Sequence, residues 1–249
     1  MVLAVSSAVA LQDLHTDKSH SGDTRWYMWL MGKRFPKQIE DHPHCHYTEM
    51  DANQEILPHF HQVNQFLVMV GGSVTVEGKD IPLILVHYSD RFTPFGPMSS
   101  GPYGLGIWAL MPKSDPGGIY MSQPNAQARL KPSKRRSILM GNIAVSTPFV
   151  LQGSAVVALD NLLPKDADTS DGLSAHMLRM GARAKTTGPD PRVTGGQYYL
   201  VMNGSLNYNQ ANYAASSAFY LEPTDAPLEA QAGAEGVEAL VMSFPRMEA

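Results

Sequence analysis

Short apolar runs broken by glycine and proline set the pattern along this chain. They include "HCHYTEM", "QFLVMV", "SVTVEG", "PLILVHYS", "GIWALM", "SAVVALD", "SAHMLRM", "QYYLVM" and "EALVMSF", and most close on a turn residue. They are rich in Val, Leu, Tyr and Phe, residues that suit a pleated surface. No long segment holds a 3.6-residue period between proper caps. Many short strands with regular turn signals predict an all-β chain built as an antiparallel sandwich or barrel.

The pattern also repeats. "QFLVMVGGSV" from Gln65 resembles "QYYLVMNGSL" from Gln197, a separation of 197 − 65 = 132. The same separation pairs Gly72 with Gly204, Ser73 with Ser205, Asp90 with Glu222 and His44 with His176. One constant offset over so many positions predicts two copies of one β-domain. The boundary is expected in the Pro-, Ser- and Lys/Arg-rich stretch 113–137. That leaves 1–112 as an N-terminal domain with an extension and 138–249 as a C-terminal one. The basic run Lys131, Lys134, Arg135 and Arg136 reads as part of a solvated linker, since no aromatic stacking partners are interleaved with it.

Composition narrows the function classes. The chain has 249 residues, 43% hydrophobic and 17% charged, enough for one large or two small cores. A net charge of −4 gives no general pull toward nucleic acid or an anionic membrane. Cys45 is the only cysteine, so no disulfide can form within the chain, and a reducing, cytoplasmic setting is the economical reading. The apolar start "MVLAVSSAVALQ" lacks the basic flank of a signal peptide and reads as a surface or oligomer-contact segment. No run reaches the roughly 18 apolar residues of a membrane span. A soluble homodimer is expected, with a small-molecule substrate and neither nucleic acid nor membrane as partner.

Five of the nine histidines fall between residues 42 and 61. In a strand alternate residues share a face, so His59 and His61 can grip one cation. Gln65 follows His61 by four residues and Gly72 follows Gln65 by seven. With this spacing the sequence resembles the cupin family, whose first motif runs from a glycine through His-x-His and Glu to a second glycine. Asn53 stands for the first glycine, Gln65 for the glutamate, and His59, His61 and Gly72 match. Of the second motif, "YSDRFTPFGPMSSGPY" keeps Pro94 and Gly96, while Tyr88, Ser99 and Tyr103 replace its leading Gly, its His and its Asn. Pro191 and Val193 lie where the first copy has His59 and His61.

The resemblance implies two tandem cupin barrels (jelly-roll, or double-stranded β-helix), with metal ligands in the N-terminal one only. Ser99 cannot supply the third ligand. Alternation in "SAHMLRM", carried back through the offset, turns His44, His46, Thr48 and Met50 inward, so His46 or His44 is expected to serve beside His59, His61 and Gln65. Cys45 then faces away. His42, ahead of Pro43, and His15 and His20, in a polar stretch, read as surface residues.

Neutral ligands of this kind suit a divalent transition ion, iron placed first, with Mn, Ni, Cu or Zn as alternatives. Such an ion would act as a Lewis acid toward a chelating enolate or phenolate oxygen. No ligand carboxylate offers a base, so His87 and Tyr103 become the candidates for moving protons. Met50, Phe66, Met69, Phe92, Phe95 and Trp108 are candidate pocket walls. Resemblance to two-domain cupin enzymes implies an oxygenase, specifically a dioxygenase, on a phenolic, enol or dicarbonyl substrate. A metal-dependent isomerase, lyase or hydrolase and a non-catalytic small-ligand binder are the alternatives.

Overall fold

A computed structural model of the chain describes residues 1–18, 22–33 and 36–246. His20 lies outside the described residues. The fold is all-β, as the strand-like runs predict, and it divides into two compact units. One is Asp13–Ile143; the other joins Met1–Gln12 to the chain from Ala144 onward.

The first unit is built on a nine-stranded antiparallel sheet. Its neighbours run Ser137–Met140, Leu85–Ser89, Gln65–Val76, Met98–Met111, His44–Met50, Thr24–Met31 and His15–Lys18. Short strands Glu55–Ile56 and Lys79–Ile81 add to Met98–Met111 and Gln65–Val76. A separate ladder pairs His59–Phe60 with Ile119–Tyr120. The second unit has an eight-stranded sheet ordered Leu3–Val5, Ala218–Leu221, Gln197–Tyr208, Glu229–Ser243, Ser174–Met180 and Val157–Asn161, with two short strands added to it.

The ladders carry the internal repeat. Leu110 pairs with Phe66, and Met242 with Tyr198, both members displaced by 132. Gly72 and Gly204 occupy φ +70° and +67°, and a Cβ at either would fall 2.0 or 2.2 Å from the carbonyl oxygen of Gly104 or Gly236. Only glycine fits so close to a neighbouring backbone. Asn53, which replaces a motif glycine, sits at φ 58°, a region Asn tolerates better than most side chains.

One expected pairing is corrected. Met111 lies opposite His44 and its counterpart Ser243 lies opposite Ser174, so in this strand the offset is 174 − 44 = 130. His176 is therefore the counterpart of His46, not of His44. A slip of two residues preserves strand parity, so the inward face inferred from it is unaffected.

The expected boundaries also differ from those observed. Residues 113–137 are no linker. Ile119 and Ala126 are buried in a cluster with Phe60 and Phe92, and Ser137–Met140 closes one edge of the first sheet. Arg136 pairs with buried Asp90 and lies over the Tyr88 ring, and Lys131 sits over Phe92. The apolar N-terminus contributes an edge strand, Leu3–Val5, to the second unit's sheet, with Val2 and Ala4 packed on its core. Among the described residues no helix is long and apolar enough to cross a membrane.

Candidate metal centre and pocket

Cross-strand pairs share a face, so the register of the first sheet sorts side chains into rows. Trp29, His46, Ala109, Leu67 and His87 form one row, and Tyr27, Thr48, Ile107, Met69 and Leu85 the next, both facing inward. Cys45, Leu110, Phe66 and Tyr88 form a fully buried row on the opposite face. Inward residues open onto a cavity of about 130 Å³ whose lining includes His44, His46, His59, His61 and Gln65. All five sequence-predicted ligand candidates thus meet in one pocket.

The two histidines of the motif are oriented by their Nδ1 atoms. His59 Nδ1–H donates to the Leu57 carbonyl at 2.9 Å, and His61 Nδ1–H to Asp115 Oδ1 at 3.2 Å. Each bond selects the tautomer with its lone pair on Nε2, the arrangement that supports a metal-ligating imidazole. Their ring centroids lie 5.3 Å apart. Gly118 leaves the space beside them open: a Cβ there would reach within 2.7 Å of His59 Cδ2 and 3.5 Å of His61 Nε2.

Asp115, only 1% exposed, is the residue that sequence reasoning missed most consequentially. Burial pushes its pKa up. Bonds from His61, Gly117 N–H and Gln62 N–H outweigh this and hold the carboxylate below its ordinary value. It lies 54 positions from His61, beyond the reach of any local motif.

His44 and His46 face each other, with His44 Nε2 and His46 Nδ1 2.8 Å apart, and Trp29 packs against both rings. Burial lowers the His44 pKa to about 4, opposed by the Asp115 charge and reinforced by His61 and His42. The influence of Asp115 and His61 puts the two histidine pairs within electrostatic reach of each other. Gln65 Oε1 is buried without a hydrogen-bond partner. So is Gln197 Oε1, which makes the orphan a property of the repeated scaffold position. Gln197 differs in donating through Nε2 to Ser243.

The residues at the motif pair therefore fit an ion, with neutral nitrogen donors, supported Nδ1 atoms and a cleared space. Completion of the coordination is less ready. Among the described residues no group of three or more His, Cys, Asp or Glu side chains is arranged to hold a metal ion. Ser99 does not line the pocket, and its neighbour Met98 does.

Both proton-moving candidates are displaced. Tyr103 is 87% exposed at a strand bend, away from the cavity. His87 faces inward but contacts Phe95, which also contacts His59, and its Nε2 bonds Ser137 Oγ at 2.9 Å. Burial holds its pKa down at about 4.

None of the six expected walls lines the cavity. Phe66 and Trp108 point to the opposite face, Trp108 against Tyr47. Met50 and Met69 are core, Phe92 packs on Phe60, and Phe95 touches His59 without lining the cavity. The observed walls include Arg25, Tyr27, Ile56, Leu67, Met98, Ile107 and Tyr120. His42 bonds Glu40 and Ser114, and half-exposed His15 bonds the Asp13 carbonyl.

Comparison with solved structures decides the fold. Pirin YhhW from Escherichia coli, in complex with nickel(II), matches over 99% of this chain and 100% of its own, with a TM-score of 0.57 and 9% identity. The chain has a tandem cupin fold. A protein of Nostoc punctiforme, provisionally described as a dioxygenase, matches over 100% of this chain and 84% of its own (TM-score 0.61, 10% identity). Oxalate decarboxylase from Lactobacillus farciminis matches over 99% and 87% (TM-score 0.53, 13% identity). No protein-family model matches the sequence, and no curated protein matches it.

Proposed function

We propose that the first cupin unit is a metal-dependent oxygenase acting on a small, oxygen-chelating organic molecule. The observation that carries this reading is the His59–His61 pair, each Nδ1 tied to an acceptor and both rings set in a pocket with Gln65. His59 and His61 would hold a divalent transition ion, iron first among the candidates. Gln65 and one imidazole of the His44–His46 pair would complete its shell. The ion would supply Lewis acidity and, if redox-active, a means of engaging O2.

The chain's own residues do the rest. Asp115 keeps His61 in the tautomer that presents Nε2. Tyr120 and Phe95, tilted against the His59 ring with centroids 5.4 and 4.5 Å away, pack that imidazole in place. Ile56, Leu67, Met98 and Ile107 exclude water from the inner wall. Among its described residues the second unit does not repeat this set: a 3-10 helix, Pro191–Val193, stands where the first has its histidines. Neighbours that include a nickel-bound pirin and a decarboxylase support a metal-binding scaffold for small molecules, at the level of fold.

Oxygen-electrode assays on iron-reconstituted protein with a panel of catechols, enols and β-dicarbonyls test the activity. Substrate-dependent O2 uptake that vanishes on chelation is expected. Turnover that persists under strict anaerobiosis would contradict it. Among the described residues no third His or acid is arranged with the pair to hold an ion, which favours one other reading, a small-ligand binder without turnover. Tight binding of a panel member with neither uptake nor product would select it.

A further inference from the structure

Arg25 lies on Thr24–Met31 and lines the same pocket, two residues before Tyr27 on one strand face. Its side chain is only 6% exposed. Among the described residues one ion pair offsets the charge, Nη2 to Asp23 Oδ2 at 3.3 Å, and that carboxylate is itself 36% exposed. Arg25 Nε is buried with no hydrogen-bond partner. A guanidinium always keeps its charge, and burying one of its N–H donors unpaired is costly.

No acid within the cavity relieves this. Asp115 is the one carboxylate among the described residues that line it, and its oxygens are committed to His61, Gln62 and Gly117. The remaining polar lining is neutral or cationic, and a bound divalent ion would add positive charge. The cavity, at about 130 Å³, is close to the roughly 150 Å³ that admits a benzene ring.

We propose that Arg25 is the carboxylate anchor of this pocket, so that its ligand is a small organic acid of at most one ring. The acid's carboxylate would complete the hydrogen bonding of Arg25, and the rest of the molecule would reach toward His59 and His61. A planar carboxylate matches the fork of donors that a guanidinium presents, which a neutral amide cannot do with charge. The proposal rests on the pocket being the ligand site of the preceding section, but not on the presence of a metal.

The test compares benzoate, pyruvate and malonate with their uncharged amides on metal-reconstituted protein, by ligand-observed NMR. Expected is at least one acid binding tenfold or more tightly than its amide. Arg25→Gln should abolish that preference while metal content stays as in the parent. A preference that survives in folded Arg25→Gln would belong to the ion and would overturn the proposal. So would the absence of any preference in the parent. If Arg25→Gln does not fold, Asp23→Asn replaces it, removing the competing carboxylate at a more exposed position. Acid binding should then tighten severalfold, and an unchanged acid-to-amide ratio would overturn the anchor. Metal content measured on the same samples keeps the two readings apart: acid preference lost in Arg25→Gln without any bound metal would sustain the anchor and defeat the metal centre.

Discussion

The two units share a scaffold and differ in what fills it. Both centre on a 12-residue strand, Gln65–Val76 or Gln197–Tyr208, beside a longer one, and both need glycine at the same close approach. The second encloses an apolar cluster that includes Leu178, Tyr199, Phe219 and Val241. At the equivalent inward positions the first carries Thr48, Leu67, His87 and Ala109, and its histidines and Arg25 face a cavity. Trading buried carbon for imidazole and guanidinium sacrifices packing that would contribute about 1.5–3 kcal/mol per large side chain. A scaffold present twice, with four histidines and an arginine lining one cavity in the first copy, marks that copy as the one with chemistry to do.

Glu238, fully buried in the second unit, bonds Arg179, Ser146 and Asn203, while its first-unit counterpart is Gly106. Glu238→Ala should destabilise the second unit by about 3 kcal/mol, since it removes the buried acceptor shared by Arg179, Ser146 and Asn203, while Arg179 keeps Asp160. Urea unfolding followed by hydrogen exchange in each unit measures this, and a change confined to the first unit would contradict the assignment.

His87 and its counterpart Phe219 predict different responses to acid. The folded-state pKa of His87, about 4, lies below the ordinary 6.5, so the unfolded chain binds the extra proton between those values. Stability from this residue is full above about pH 6.5 and falls as pH drops through about 4, by about 3 kcal/mol in all. The first unit should therefore lose exchange protection at pH 5 sooner than the second. His87→Phe, which copies the second unit, should roughly halve that dependence, since buried His44 titrates over the same range. Equal pH dependence in parent and variant would refute it.

Asp115 sharpens the comparison at the site. Asp115→Asn keeps the shape and weakens the support of His61, so metal affinity should fall about 10–100-fold, read by competition with a chelator. Unchanged affinity would mean that the bond is structural only. The smallest effect belongs to Tyr103→Ala: exposed and remote, it should shift stability by no more than about 0.5 kcal/mol and leave turnover unaltered.

Much of this was legible in the sequence. The 132-residue offset exposed the repeat because strand lengths and turn glycines must be kept together for a barrel to close. Alternation placed His44 and His46 inward and Cys45 outward. The walls were not legible: "QFLVMV" is apolar on both faces, because Phe66 and Leu67 are buried against different layers, so hydrophobicity could not tell cavity from core. Arg25, Asp115 and Gly118 reach the site from segments distant in sequence. Arg25 in particular ends the polar run "TDKSHSGDTR", with no motif to single it out. The supposed linker carried no sign of folding back, because its buried contacts, Ile119 on Phe60 and Arg136 on Asp90, are all long-range.

The first unit alone is expected to hold a metal, through His59 and His61. Elemental analysis after reconstitution tests it on the parent, on His59→Ala/His61→Ala, and on Pro191→Ala/Val193→Ala at the equivalent second-unit positions. The account predicts about one ion per chain in the parent and in the second-unit variant, and none in the folded histidine variant. Undiminished metal in the histidine variant, or no uptake by the parent, would contradict it.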